Sequence, residues 1–120
     1  MVKDRMNHYY TLLLESLQDA YIGIDGSQKY TLSPPSFPYM YFKQIGGGGS
    51  IETLSGTEDG IELAIEIRLY SKKSDVRNMA NTAREWAVEE GFHIDYFSPE
   101  DNISDISINQ FILRISKTDV

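Results

Sequence analysis

The segment of this sequence that points most directly to ligand chemistry is a glycine run ending in serine, Gly46, Gly47, Gly48, Gly49 and Ser50. Glycine-rich turns cradle phosphate groups when their main-chain N–H groups converge at the start of a following helix. That chemistry also requires a Lys-Ser or Lys-Thr pair in most cases, and neither the pair nor a helix pattern follows the run. The run therefore predicts a flexible hairpin tip, as either a native loop or an artificial linker.

Acidic and imidazole side chains offer two further chemistries, metal binding and proton transfer. Glu100, Asp101 and Asp105 lie close together, but the central glycine and late glutamate of a calcium loop are missing. His8 and His93 have no partner at metal-ligand spacing. The chain contains no cysteine, which removes thiolate nucleophiles, thiolate metal sites and disulfides. We therefore expect no catalytic residue, no metal site and no cofactor, and a protein that is not an enzyme.

The strand pattern at residues 61–70 is the most regular feature of the chain. Every odd position is Ile or Leu, whereas the even positions are Glu62, Ala64, Glu66, Arg68 and Tyr70. Side chains alternate between the two faces of a strand, so one face is aliphatic and the other is mostly charged. Such a strand is typical of an antiparallel sheet with one covered face and one face that meets water or a partner.

The charged face of this strand is either solvated or a contact between subunits. For the second interpretation the candidate interface residues are Glu62, Glu66 and Arg68, with Arg77 and Arg84 on the following helix as counter-charges. Charge complementarity of this kind sets register and partner choice more than affinity.

Two amphipathic helices are predicted to cover the aliphatic face. Residues 2–20 repeat apolar side chains at spacings of three and four, and the same period recurs from Val76 to Ala87. Ser74 or Asp75 is the expected N-cap of the second helix, and Gly91 is the expected glycine after its end. Extended segments are predicted at residues 22–24, 39–45, 51–55, 61–70, 92–97 and 107–117. Near residues 108–111 the apolar phase shifts, which predicts a bulge or a late strand start.

The order of these elements predicts one α+β domain over residues 1–120. We expect a mainly antiparallel sheet of four to five strands with two helices packed on one face. Its core should bring Ile61, Leu63, Ile65, Ile67 and Leu69 against Val76, Met79, Ala83, Trp86 and Leu13.

Composition excludes several classes of partner. Eleven basic and 18 acidic residues give a formal net charge of −7, and the cations are scattered, so specific nucleic-acid binding is disfavoured. No apolar stretch approaches the length of a membrane span, and no signal-peptide core follows the N-terminus. The sequence therefore predicts a protein of the reducing cytoplasm with neither membrane nor nucleic acid as a specific partner.

Several segments in a fixed order suggest a relationship to a family. They are Phe37-Pro38-Tyr39-Met40-Tyr41-Phe42-Lys43, residues 53–60 leading into residues 65–71, Ala83 through Gly91-Phe92, and Asn102-Ile103-Ser104-Asp105 before the last strand. With this order and spacing, the chain resembles the tail terminator and minor capsid proteins of long-tailed bacteriophages and prophages over residues 37–115.

The resemblance implies a structural role without catalytic residues or cofactors. Proteins of this family form a homo-oligomeric ring, typically a hexamer, which caps the tail tube, ends its polymerisation and offers a surface to the head connector or stopper. The expected partners are therefore other copies of the chain, the tail tube protein and the head connector. The expected location is the virion tail at the head–tail interface, after assembly in the cytoplasm of the bacterial host.

Two alternatives stay open at the level of sequence. The first is another head–tail joining protein, such as a stopper or adaptor. The second is a small-ligand-binding or enzymatic α+β domain, for which a deep polar pocket would be the expected sign.

Overall fold

The computed structural model describes residues 2–21, 23–29, 34–52, 58–101 and 107–119. Within these ranges it gives the main chain alone for residues 2–4, 46–52, 58–62, 101 and 119.

The described residues form two helices and one five-stranded sheet. In chain order the elements are α1 (Val2–Ala20), β1 (Asp25–Ser27), β2 (Tyr39–Glu52), β3 (Glu58–Ser71), α2 (Val76–Glu89), β4 (His93–Asp101) and β5 (Asn109–Asp119). The sheet order is β1-β2-β3-β5-β4, so β1 and β4 are its edges. β1 pairs parallel to β2, and the other neighbouring strands pair antiparallel. The predicted α+β fold is confirmed.

The aliphatic face of β3 is the centre of the hydrophobic core. Leu63, Ile65, Ile67 and Leu69 are completely buried and belong to one cluster with side chains of both helices. The helical members of that cluster are Met6, Tyr9, Leu13 and Leu17 from α1, and Val76, Met79, Ala80, Ala83, Trp86 and Ala87 from α2. The strand stripe thus packs against two helical stripes, as the sequence predicts. The side chain of Ile61, which was expected in the same core, lies outside the described side chains.

β2 and β3 form one long antiparallel hairpin, and this corrects the prediction for residues 51–55. Residues 51–52 end β2, and the strand that returns from the hairpin is β3 itself. Residues 53–55 lie outside the described residues. The aliphatic strand β3 is central in the sheet, so its N–H and C=O groups need partners on both sides, and β2 and β5 provide them.

The glycine run lies inside β2 rather than at the hairpin tip. Gly46 is opposite Ala64 and Gly47 is opposite Leu63, with register shifts between Gln44 and Gly46 and again between Gly47 and Ser50. Glycine is depleted in strands because it has no side chain to pack, but a paired neighbour such as β3 overrides that preference. The expected mobility of residues 46–50 stays a prediction.

α2 ends in a Schellman motif, which confirms Gly91 as the residue that follows the helix. Gly91 has a φ of 89°, a conformation that disfavours side chains with a Cβ. Its N–H donates to the carbonyl of Val88 at 3.1 Å, and the Phe92 N–H donates to the carbonyl of Ala87 at 2.9 Å. The Phe92 ring then stacks on Trp86, with 5.8 Å between the ring centroids.

β4 runs further than predicted and includes a proline. The sequence suggested a strand at residues 92–97 and a polar loop from Pro99, yet Pro99 pairs opposite Phe111 within β4. An edge strand tolerates proline because its outer side needs no N–H partner. The predicted late start of the last strand is confirmed at Asn109, whereas the register shift lies in β4, between Ile94 and Tyr96.

The first strand also differs from its prediction. β1 begins at Asp25, after the segment 22–24 in which a strand was expected. Ile24 is instead buried in the core beneath α1, and Ile22 lies outside the described residues. The main chain of Gly26 comes close to β2, and a Cβ at this position would lie 2.9 Å from the Met40 carbonyl oxygen.

Candidate functional site

The charged positions of β3 belong to a row of polar side chains that crosses four strands. Lys43 on β2 is opposite Glu66 on β3, Glu66 is opposite Arg114 on β5, and Arg114 is opposite Tyr96 on β4. Because opposite residues in antiparallel strands project on the same side, this row lies on the face of the sheet away from the helices. The neighbouring even position on β3 is Arg68, on the same face.

Glu66 is the centre of this arrangement and is held by two arginines of its own chain. The Arg68 Nε donates to Glu66 Oε1 at 2.5 Å, and the Arg114 Nε donates to Glu66 Oε2 at 2.9 Å. The carboxylate side chain is 8% exposed, whereas Arg68 is 25% exposed and Arg114 is 41% exposed. The negative charge is thus covered and the positive charges face outward.

Electrostatics keep this carboxylate ionised despite its burial. Burial by itself would raise the pKa of Glu66, but the hydrogen bonds from Arg68 and Arg114 outweigh burial and lower that pKa below its ordinary value. Conversely, burial would lower the pKa of Arg68, and its bond to Glu66 raises it instead. A carboxylate with a lowered pKa is a poor general acid or base near neutral pH, so the geometry favours ion pairing over catalysis.

Aromatic side chains frame the ionic group. The Arg114 guanidinium lies 4.9 Å from the centroid of the Tyr96 ring, and the Tyr96 hydroxyl donates a hydrogen bond to Glu100. Such a cation–π contact fixes the plane of the guanidinium over the ring.

A second buried cluster lies at the other end of the same face. Its members are Tyr39, Tyr41, Tyr70 and Ile108, with Phe37 packed against them. The outer face of the sheet is therefore apolar and buried at one end, and charged and partly exposed at the other.

The structure divides the five candidate interface residues between two sides of the sheet. Glu66 and Arg68 lie on the outer face, whereas Arg77 and Arg84 extend from α2 over the rings of Phe111 and Phe97, at 5.6 Å and 4.8 Å from their centroids. The side chain of Glu62 lies outside the described side chains. Within one chain, the structure does not bring Arg77 or Arg84 to Glu66.

Sequence reasoning missed Arg114, Lys43 and Tyr96 as members of this group. Alternation along β5 places Arg114 on the side opposite Leu113, but strand order and register decide that it meets Glu66. No pattern within one strand carries that information.

A surface pocket of about 450 Å³ lies where the end of α1 meets the β3–α2 connection. Its lining includes Tyr21, Phe37, Lys72 and Lys73. Ser71 and Asp75 also line the pocket, and the Ser71 hydroxyl donates to Asp75, the N-cap of α2, at 2.7 Å. The pocket combines aromatic walls with two exposed lysines, and its volume is in the range of small-molecule sites.

The histidines and the acidic segment form no metal site in the described part of the chain. His93 lies 3.9 Å from Asp95, with side chains 78% and 44% exposed, and His8 contacts the edge of the Tyr9 ring. No group of three His, Asp or Glu side chains is placed to hold an ion among the residues that the structure describes. Most of the segment considered as a calcium loop, residues 102–105, lies outside them.

Comparisons with known proteins leave the family open. No protein-family model matches the chain, and no match is found among curated proteins. Across the described ranges, neither helix is long and apolar enough to cross a membrane.

Proposed function

We propose that this chain is a structural protein of a phage virion, which forms a ring at the end of the tail tube. The ring, a hexamer by resemblance, ends tube polymerisation and provides the surface for head joining. The observation that carries the proposal is the two-sided character of β3. Its aliphatic face is sealed by both helices, and its other face presents an ordered ionic group to the outside.

The long hairpin supports an assembly role. β2 and β3 each span 14 residues, about 46 Å of strand at 3.3 Å per residue, and the longest dimension of the molecule is 53 Å. Among the described strands, β1 pairs with β2 only at residues 39–41. A hairpin of this length extends far enough to contact a neighbouring subunit of the proposed ring.

The ionic group changes the expected chemistry of the subunit contact. The interface was expected to pair Glu66 of one copy with an arginine of the next. Since Arg68 and Arg114 already bind Glu66 within the chain, the proposed contact would instead use the exposed part of this group, chiefly Arg114. The tail tube protein and the head connector remain the proposed partners on the two ring faces, and the virion tail remains the proposed location.

Electron microscopy of purified chain with polymerised tail tubes tests this function. The proposal predicts rings on tube ends and no further growth when fresh tube subunits are added. Tubes incubated without the chain are the control and should continue to lengthen. Continued growth of tubes that carry the chain, or binding along their sides alone, would contradict the proposal. A chain that binds isolated head connectors but not tubes would support the alternative of a stopper or adaptor.

The pocket beside Lys72 and Lys73 is the observation that favours the small-ligand alternative. Native mass spectrometry of protein purified without denaturation would reveal a retained metabolite as added mass. If such a ligand is bound, Lys73→Ala should lower its occupancy, whereas Lys29→Ala, an exposed lysine outside the pocket, should not. Protein without added mass leaves the structural proposal as the better account.

A further inference from the structure

Two arginines of α2 lie over a pair of contacting aromatic rings. The Arg77 guanidinium lies 5.6 Å from the centroid of the Phe111 ring, and the Arg84 guanidinium lies 4.8 Å from the centroid of the Phe97 ring. The two ring centroids are 4.5 Å apart. The arginines are separated by close to two turns of α2, so they share one side of the helix. We call these four side chains the arginine platform.

The guanidinium groups of the platform have hydrogen-bond donors to offer. Both arginine side chains are exposed, and in the part of the chain that the structure describes neither forms an ion pair or a side-chain hydrogen bond. A guanidinium stacked on a ring still presents N–H groups at its edge, in a planar fork that suits a carboxylate. The platform is therefore suited to bind carboxylates from another chain.

Two acidic residues border the platform without pairing with it in the described structure. Glu85 follows Arg84 directly and projects about 100° further round α2. Asp101, whose side chain lies outside the described side chains, ends β4 two residues after Pro99. Glu100 is bonded to Tyr96 on the other face of the sheet. A partner would therefore meet two unpaired guanidinium groups rather than an excess of positive charge.

The end of the β2–β3 hairpin is rich in carboxylates. The sequence has no Lys, Arg or His between Lys43 and Arg68. Four acidic residues lie in this interval near the hairpin end, and we call them the acidic hairpin end: Glu52, Glu58, Asp59 and Glu62. Glu52 is opposite Glu58 in the register, and like charges opposite each other in a sheet repel. Cations from another chain would relieve this repulsion.

The hairpin end and the arginine platform lie far apart along the strands. β3 pairs with β5 from Ile61 to Ser71, so residues 58–60 extend past β5 and, among the described strands, pair with β2 alone. The platform ring Phe111 is opposite Leu69, which is nine residues from Gly60, or about 30 Å of strand at 3.3 Å per residue. One copy therefore cannot place its hairpin end on its own platform, and a contact between the two surfaces joins two copies.

We propose that the acidic hairpin end of one copy binds the arginine platform of the next copy. This inference rests on the proposed ring and identifies the surface that the long hairpin contacts within it. The contact joins two different patches, as a closed ring requires, and each copy supplies one of each. Pairing of carboxylates with guanidinium groups gives the contact its register and orientation. It is separate from the contact proposed for Arg114, which lies on the other face of the sheet.

Two double variants each reverse one side of the contact. Arg77→Glu with Arg84→Glu changes the platform, and Glu58→Lys with Asp59→Lys changes the hairpin end. Sedimentation equilibrium measures their self-association at low salt. We expect each double variant to raise the self-association Kd by about fivefold or more relative to its control. Circular dichroism and thermal unfolding check that the variants are folded, and the hairpin variant stands if loss of the arginine–ring contacts destabilises the platform variant.

The matched controls make the same changes in charge at exposed residues away from both surfaces. For the platform variant the control is Lys29→Glu with Lys72→Glu, and for the hairpin variant it is Glu15→Lys with Asp19→Lys. Controls that weaken association as much as the variants would show that only the total charge matters, and would overturn the docking.

An equimolar mixture of the two double variants gives the sharper test. In the mixture the unchanged hairpin of the platform variant meets the unchanged platform of the hairpin variant, and the two reversed surfaces also carry opposite charges. We expect the mixture to associate at least about fivefold more tightly than either variant alone, with the two variants alternating around the ring. A mixture that associates no better than its components overturns the docking.

Failure of the docking and failure of the proposed function are separable. A wild-type chain that stays monomeric up to millimolar concentration overturns the docking, and tube-end binding then decides the function independently. If both variants still form rings that cap tubes, the proposed function stands and this contact is wrong. If the platform variant loses tube binding but self-associates normally, the platform serves another protein and the inference is also wrong.

Discussion

Glu66 shows how a single residue gains its role from neighbours that are distant in sequence. Two guanidinium groups from β3 and β5 hold its carboxylate, and removing one partner of such a group leaves charge without compensation. If Glu66 were solvated, its substitution by lysine would only reverse one charge at the proposed interface. Because two arginines hold Glu66, the lysine would instead be a third cation beside them. We therefore expect Glu66→Lys to unfold the chain more readily, as well as to change its assembly.

Glu66→Gln should make the free energy of unfolding less dependent on pH in the acid range. Because the folded pKa of Glu66 is lowered, its stabilising contribution is complete above the ordinary Glu pKa of about 4.3 and is lost as the pH falls through the folded pKa. At pH 7 the variant should be less stable by about 1–3 kcal/mol, and this difference should shrink toward pH 2. Urea unfolding at both pH values measures it, with exposed Glu15→Gln as control. A difference that is the same at pH 7 and pH 2 would show that the ion pairs contribute nothing.

At the scale of elements, periodicity predicts the helices and the central strand well. The apolar side chains within Leu63–Leu69 and Val76–Ala87 recur regularly over long segments, and they are buried in the core. Predictions fail where strand pairing outweighs the structural preference of single residues, as in the glycine run within β2 and at Pro99 within β4. Only part of the ionic group around Glu66 could be predicted from the sequence. Alternation places Glu66 and Arg68 on one face, whereas the position of Arg114 beside them depends on the order of the strands in the sheet.

Ile65→Ala should destabilise the fold by about 2–5 kcal/mol, because it removes buried methyl groups and leaves a cavity beneath both helices. The control is Val88→Ala on the exposed side of α2, where Val88 is 59% exposed and the expected change is within about 0.5 kcal/mol. Thermal and urea unfolding measure both. Equal stability of Ile65→Ala and the wild type would place the aliphatic face of β3 outside the core.

Gly91→Ala should cost about 1 kcal/mol, because an alanine Cβ is strained at a φ of 89°. Gly91→Asn is the matched comparison, since asparagine tolerates this conformation better and should recover part of the loss. A Cβ at this position meets only the Lys117 ammonium at 3.8 Å within the described surroundings, so crowding does not explain a loss. Equal costs for alanine and asparagine would argue against backbone strain.

The glycine run should be more mobile in the free monomer than the rest of β2, because glycine has the largest backbone entropy to lose and the pairing shifts register twice there. Nitrogen-15 relaxation compares residues 46–50 with residues 39–43 of the same strand. We expect lower order parameters in the run and an increase on assembly. Equally high order in both segments of the free monomer would contradict this expectation.

The whole molecule combines a closed core with surfaces that are not balanced in charge. Its sheet is open, its outer face carries a partly exposed ionic group, and its helix layer carries exposed carboxylates. If the proposed subunit contact uses charged groups on these surfaces, added salt should weaken the association.

Tail length in a phage or prophage that carries the gene for this chain would test the proposed function most directly. With the gene for this chain inactivated, electron microscopy should show tails of uncontrolled length or tails without heads, and expression of the wild-type chain in trans should restore uniform joined tails. Uniform tails joined to heads in the complete absence of the chain would contradict the tail-terminator function.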